Sequence, residues 1–216
     1  MEAILLDAAG TLFNLSEPLG TTYTRFGQKF GLQLQPKTVE NAFRQAFQQA
    51  QPPHYSTSRD GHEIEKQWWK ELVAQVTQLP PSPEFDRYFE QLFAHYAHPT
   101  AWKLYPDTLP FLEANQHHYR LAVVSNFDQR LIPLLDGLQL TPYFEFILTS
   151  SQARAQKPDP QIFHLALQKL NLPAKQVLHI GDSQKADYQG ALACGLQAIH
   201  LQRDNGDQLS LKDTLP

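Results

Sequence analysis

The feature that most constrains this chain is the distance between one buried-strand signature and the four that could pair with it. Residues 3–8, AILLDA, form a short apolar run that closes on an acid and is followed by the break Gly10-Thr11, the pattern of a strand covered on both faces. The next such runs are RLAVVS (120–125), FEFILTS (144–150), QVLHIG (176–181) and LQAIHL (196–201), with helical patterns at 107–118, 129–138, 160–170 and 185–194. Repeated strand, helix, strand implies right-handed crossovers and a parallel sheet. In the gap, residues 18–30, 36–50, 61–78 and 83–96 carry apolar or aromatic residues at three-to-four spacing, and the prolines at 52–53 and 80–83 interrupt them. The expected fold is a doubly wound α/β core, residues 1–14 and 100–216, with an inserted α-helical bundle, residues 15–99. Hinges are expected near Asn14 to Pro18 and Pro99 to Leu104. The aromatics of the insert, Trp68 and Trp69 among them, are expected in the bundle core, and the tail from Arg203 to Pro216 as irregular chain.

Composition removes several function classes. The 216 residues carry 18 basic and 22 acidic side chains, a net charge of −4, whereas phosphate-backbone binding wants a basic stripe. Cys194 is the single cysteine, so neither an internal disulfide nor a cysteine-based zinc site is expected. The first residues lack a basic leader pattern, and no apolar run reaches the roughly 18 residues of a membrane span. The expectation is a soluble cytoplasmic protein acting on a small molecule, as monomer or homodimer, without nucleic-acid or membrane partners.

In a parallel α/β sheet, ligands bind beyond the carboxyl ends of the strands where strand order reverses. Those ends supply Asp7 after the first strand, Ser125 and Asn126 after the second, and Asp182 and Asp187 after the fourth, while Lys157 precedes a proline before the intervening helix. A carboxylate can attack phosphorus. Magnesium takes one or two carboxylates, as Asp7 and Asp182 could provide. Ser125 and Asn126 could hold phosphate oxygens, and Lys157 could neutralise developing charge. His179 alternates within a strand and reads as a satisfied core histidine, and Cys194 as a packed thiol. Asp128 and Arg130 could line the site or start a helix.

The segments LLDAAGTLF (5–13), VVSNFD (123–128), KPDPQIF (157–163) and HIGDSQKADYQGALACG (179–195) together resemble the haloacid dehalogenase-like hydrolases with a helical cap after the first strand. The resemblance implies a Rossmann-like core and a cap that closes over the site as a lid. It also implies Mg2+ as cofactor and a phosphorylated small molecule as substrate. By position, Asp7 matches the nucleophile and a metal ligand, Ser125 the phosphate-binding hydroxyl with Asn126 beside it, and Lys157 the lysine. Asp182 matches the metal carboxylate, and Asp187 the acid that holds a metal-bound water. The family's phosphatases carry a second aspartate two residues after the nucleophile, as general acid and base. Ala9 stands there, keeping a backbone carbonyl for metal but no proton shuttle, a loss of about 10²- to 10⁴-fold.

The substitution leaves several readings. A phosphatase of low or selective activity is the first, with His54, His62, Glu63 or Glu65 as candidate replacement groups. Phosphonoacetaldehyde hydrolases resemble the chain in having alanine there, and would need a cap lysine such as Lys29, Lys37, Lys66 or Lys70. 2-Haloacid dehalogenases resemble it in lacking the aspartate, yet work without metal. A catalytically weak binding or regulatory protein is the reading from another class.

Overall fold

The computed structural model describes residues 1–55, 58–203, 210–211 and 214–215; the rest of the expected irregular tail lies outside the described residues. Two compact units result, Met1–Asn14 with Leu104–Pro216, and Leu15–Lys103. In chain order the elements begin with strands β1 (Ala3–Leu6) and β2 (Phe13–Leu15) and helices α1 (Leu19–Gln28), α2 (Pro36–Gln49), α3 (Gly61–Thr77) and α4 (Pro83–His95). They continue with β3 (Trp102–Leu104), α5 (Thr108–Asn115), β4 (Arg120–Ser125), α6 (Leu131–Gly137), β5 (Ile147–Thr149) and α7 (Ser150–Ala153). The last are α8 (Pro160–Leu170), β6 (Val177–Gly181), α9 (Gly190–Ala193) and β7 (Gln197–His200).

The α/β unit is built on a five-stranded sheet of order β5-β4-β1-β6-β7, parallel at every pairing. The chain starts in the middle, winds outward through β4 and β5, then returns to the other side of β1 for β6 and β7, so strand order reverses at β1. All four residues of β1 have no exposed surface, and each large apolar side chain so buried contributes roughly 1.5–3 kcal/mol. Leu6 pairs with Val123 on one side and Ile180 on the other. Asp7 therefore leaves the sheet beside the ends of β4 and β6, and its N–H donates to the Ile180 carbonyl at 2.9 Å.

The helical unit contains α1 to α4, packed on a core that includes Tyr23, Phe26, Phe85, Tyr88, Phe89 and Leu92. Asp60 and Ser82 accept backbone N–H bonds at the starts of α3 and α4, and Pro36 and Pro83 open α2 and α4, where a missing N–H costs nothing. Phe47 is 48% exposed and continues the aromatic stack from Phe43 to Trp69, so this part of the aromatic stripe reaches the unit's surface. Among the described residues no helix is long and apolar enough to cross a membrane.

The structure adds one element that the helical pattern concealed. β2 and β3 form a separate two-stranded ribbon, and the boundaries between the units fall inside these two strands. Strands of three residues are too short for alternation to register. The expected strand over 144–150 is likewise shorter, Ile147–Thr149, because Thr149 caps α7 with its side chain and turns the chain away.

Candidate active site

The turn after β1 is tight: Thr11 and Leu12 donate backbone N–H bonds to the Ala8 carbonyl at 3.1 and 2.7 Å, and Gly10 donates to Phe13 at 2.8 Å. Gly10 has φ +86°, and a Cβ there would stand 2.5 Å from Asp182 Oδ2. Only glycine both adopts that backbone and leaves the Asp182 carboxyl its place. Ala9, half-buried in this turn, carries no ionisable group.

Lys157 is the hub. Its ammonium donates to Asp7 Oδ1 at 2.7 Å, Asp187 Oδ1 at 2.5 Å and the Val124 carbonyl at 2.8 Å, which uses all three of its N–H bonds. The side chain is 1% exposed. Burial alone would lower its pKa, but the adjacent Asp187 and Asp7 carboxylates outweigh burial and raise it, so the charge is held. Asn126 fixes the same residue from behind: Lys157 N–H donates to Asn126 Oδ1 at 2.6 Å, and Asn126 Nδ2 donates to the Lys157 carbonyl at 2.8 Å. The Asn126 side chain thus engages the lysine's backbone. Ser125, 3% exposed at the end of β4, lowers the Asp7 pKa, the smallest of the influences on that carboxyl.

After β6 the chain makes a single π-type turn, Gln184–Gln189, a local form often found at functional sites. It returns Asp187 onto the strand end: Ser183 N–H donates to Asp187 Oδ2 at 2.9 Å, and His179 Nε2 lies 2.8 Å from Asp187 Oδ1. His200 Nε2 bonds the Asp182 carbonyl at 2.9 Å, fixing the same loop.

The charges do not balance. Asp7, Asp182 and Asp187 offer oxygens all within 4.8 Å of one another against the single Lys157 ammonium. Burial raises the Asp7 pKa, with Lys157 opposing and Asp187 adding to the rise. Asp187 is driven the other way: burial would raise it, but Lys157 and the His179 bond hold it well below the usual range. Asp182, exposed as a residue but with a crowded carboxyl, is pushed up to about 7 by desolvation and by the charges of Asp7 and Asp187. Three carboxyl groups with oxygens this close together could hold a hard divalent cation.

The other residues singled out in the sequence lie elsewhere or engage otherwise. Asp128 accepts bonds from Arg130 N, Nε and Nη2 at 3.0, 2.8 and 2.6 Å, a buried pair at the start of α6. The Cys194 thiol is half-buried, and burial raises its pKa, which disfavours a reactive thiolate. In the helical unit, Glu65 is buried and accepts a hydrogen bond from the Tyr55 hydroxyl, while His54 and Glu63 are exposed. Lys66 and Lys70 pair with Glu90 and Asp86. Sequence reasoning missed the contact of His179 with Asp187; the signal was a histidine at a fully buried strand position next to the Gly-Asp pair.

Comparison with known proteins bears on the family and the fold. The profile of the family described as haloacid dehalogenase-like hydrolase matches residues 1–195. The chain is 35% identical over 219 residues to a human haloacid dehalogenase-like hydrolase domain-containing protein 3, covering 97% of this chain and 85% of the relative. In fold it is similar to a HAD phosphatase from Thermococcus onnurineus, with TM-score 0.67, 23% identity and 99% and 95% of the two chains covered. It is also similar to an L-2-haloacid dehalogenase from Xanthobacter autotrophicus, with TM-score 0.70, 20% identity and 96% and 80% covered. On the match over most of its length, the chain belongs to the haloacid dehalogenase-like hydrolases.

Proposed function

We propose that this chain is a magnesium-dependent phosphatase-type hydrolase for a small phosphorylated metabolite, with Asp7 as nucleophile. The observation that carries the reading is the excess of carboxylate at the strand ends: Asp7, Asp182 and Asp187 bring oxygens within 4.8 Å of one another, and Lys157 pairs with two of them, Asp7 and Asp187. C–halogen hydrolysis without metal has no use for that surplus. The groups that would hold the metal are the Asp7 and Asp182 carboxylates and the Ala9 carbonyl, with Asp187 acting through water. A bound magnesium ion would screen the phosphate's charge from the carboxylates and favour attack at phosphorus.

The chain's own groups then divide the work. Lys157 holds Asp7 in place through its Oδ1, which leaves the other carboxylate oxygen to form the new P–O bond as the ester oxygen departs with the bonding pair. The Ser125 hydroxyl and backbone amides of the Ser125-Asn126 turn would hold the phosphoryl oxygens, while the Asn126 side chain keeps Lys157 seated. Water then attacks phosphorus, the P–O bond to Asp7 breaks with its electron pair returning to the carboxylate, and inorganic phosphate leaves with one proton of the water on the new oxygen and the other released to solvent. Ala9 supplies no proton to the leaving oxygen and takes none from water, so turnover is slow and favours esters whose leaving groups depart as anions.

The test is a panel of small phosphate esters with Mg2+ beside 2-haloacids without metal, for wild type and Asp7→Asn. Asp7-dependent phosphate release supports the reading, and halide release without phosphate release would replace it. Ala9 itself favours a second reading, a catalytically weak regulatory protein, and binding of phosphorylated ligands with no turnover in either series would support that one.

A further inference from the structure

His179 sits where a purely structural strand would use an aliphatic residue. It is fully buried in β6, in register with Leu5 on one side and Ala198 on the other, and its ring packs edge-on against Phe163 at 5.4 Å. Its Nδ1 is buried and has no hydrogen-bond partner among the described residues. A buried nitrogen without a partner costs free energy that leucine would not. Against that cost stands one polar contact, Nε2 to Asp187 Oδ1 at 2.8 Å. Asp187 Oδ1 already accepts from the Lys157 ammonium, as a carboxylate oxygen does, so Nε2 is the donor.

From this arrangement we infer that His179 is a positioning residue of the active site, holding the Asp187 carboxylate in the orientation that seats Lys157 on the nucleophile. Asp187 is fixed at two points from its own segment, Ser183 N–H on Oδ2 and His179 Nε2–H on Oδ1. The oxygen that receives His179 is the one that receives Lys157. Lys157 in turn reaches Asp7, so His179, Asp187, Lys157 and Asp7 form a continuous chain of bonds from β6 to β1. Without the imidazole donor Asp187 keeps Lys157 and Ser183 as partners, so no new buried group is stranded. It loses one of three contacts, the one that ties Oδ1 to β6 itself. Partners that orient metal-site carboxylates typically matter by about 10- to 100-fold in metal affinity or activity.

The inference rests on the phosphatase reading for its kinetic arm but not for its binding arm. On the full chain, His179→Leu removes the donor and the unpartnered Nδ1 together, and His179→Gln keeps an N–H at similar reach. Calorimetric titration with Mg2+ alone, without substrate, is expected to show affinity about 10-fold or more weaker for His179→Leu and within about 3-fold of wild type for His179→Gln. With p-nitrophenyl phosphate, kcat falls in parallel for the leucine variant while KM stays close to wild type, and the melting temperature is unchanged or higher. Wild-type Mg2+ affinity and kcat in His179→Leu would overturn the inference. So would a loss of stability that His179→Gln does not relieve. If His179→Leu does not fold, His179→Met replaces it as the donor-free variant, and failure of both while His179→Gln folds would assign the histidine to stability alone. Absence of Asp7-dependent turnover in wild type would instead remove the phosphatase reading and leave the Mg2+ comparison standing.

Discussion

Gly181 has no side chain because the Asp187 carboxyl occupies that space: a Cβ on Gly181 would stand 2.2 Å from Asp187 Cγ and 2.5 Å from its Oδ2. The end of β6 and the π-type turn after it are therefore fitted to each other. That contact brings the acid back under Lys157.

Gly181→Ala should separate the two. The added methyl meets a carboxyl already fixed by three hydrogen bonds, and overpacking of this kind costs about 1–3 kcal/mol. The expected result is a lower melting temperature together with a drop in kcat/KM of about 100-fold, because the displaced Asp187 no longer seats Lys157. Thermal melts and steady-state phosphate release check both arms; an unchanged rate would mean that Asp187 need not stay where it is.

Asp182 makes a prediction about pH. Its carboxyl, pushed up to about 7, keeps in the folded state a proton that the unfolded chain loses near pH 4. Stability of the metal-free protein therefore falls as pH rises from about 4 to about 7 on account of this group, and the cost is fully present above that. Asp182→Asn should melt higher than wild type at about pH 8, on the order of 2 °C for a chain of this size, with no gain at about pH 4. Mg2+ should raise the wild-type melting temperature at about pH 8, chelation should reverse it, and the variant should respond to neither. A variant that melts lower at about pH 8 would contradict the crowding described here.

Ala9→Asp places an ionisable group two residues beyond Asp7, the proposed nucleophile. Alkyl phosphate turnover should rise by about 10²-fold or more, and p-nitrophenyl phosphate turnover by less at the first step, since its leaving group needs little protonation. Rates measured on a paired alkyl and aryl substrate decide this; equal gains on both would place the missing function elsewhere.

β1 and the acid after it could be read because a strand covered on both faces must be uniformly apolar, and the four long helical patterns because their apolar period is sustained over several turns. The proximity of Asp7 and Lys157, 150 positions apart, followed only from the rule that parallel strands deliver their ends to one edge. The return of Asp187 was hidden, since a π-type turn leaves no apolar period of its own. Asn126 was placed correctly along the chain, yet its engagement with both backbone polar groups of Lys157 depends on a loop whose course the sequence does not state. The burial of His179 is visible in the strand pattern, whereas its partner Asp187, eight residues on across that turn, is not. The ribbon of β2 and β3 is held by pairing between distant segments and carries no local period.

On the proposed mechanism Asp7 takes the phosphoryl group before water does. Rapid mixing of the full chain with p-nitrophenyl phosphate and Mg2+, wild type beside Asp7→Asn, tests it directly. A burst of about one equivalent of p-nitrophenol followed by slow turnover is expected, because Ala9 starves the second step more than the first, and neither phase is expected in Asp7→Asn. A burst or steady turnover that persists in Asp7→Asn would contradict it.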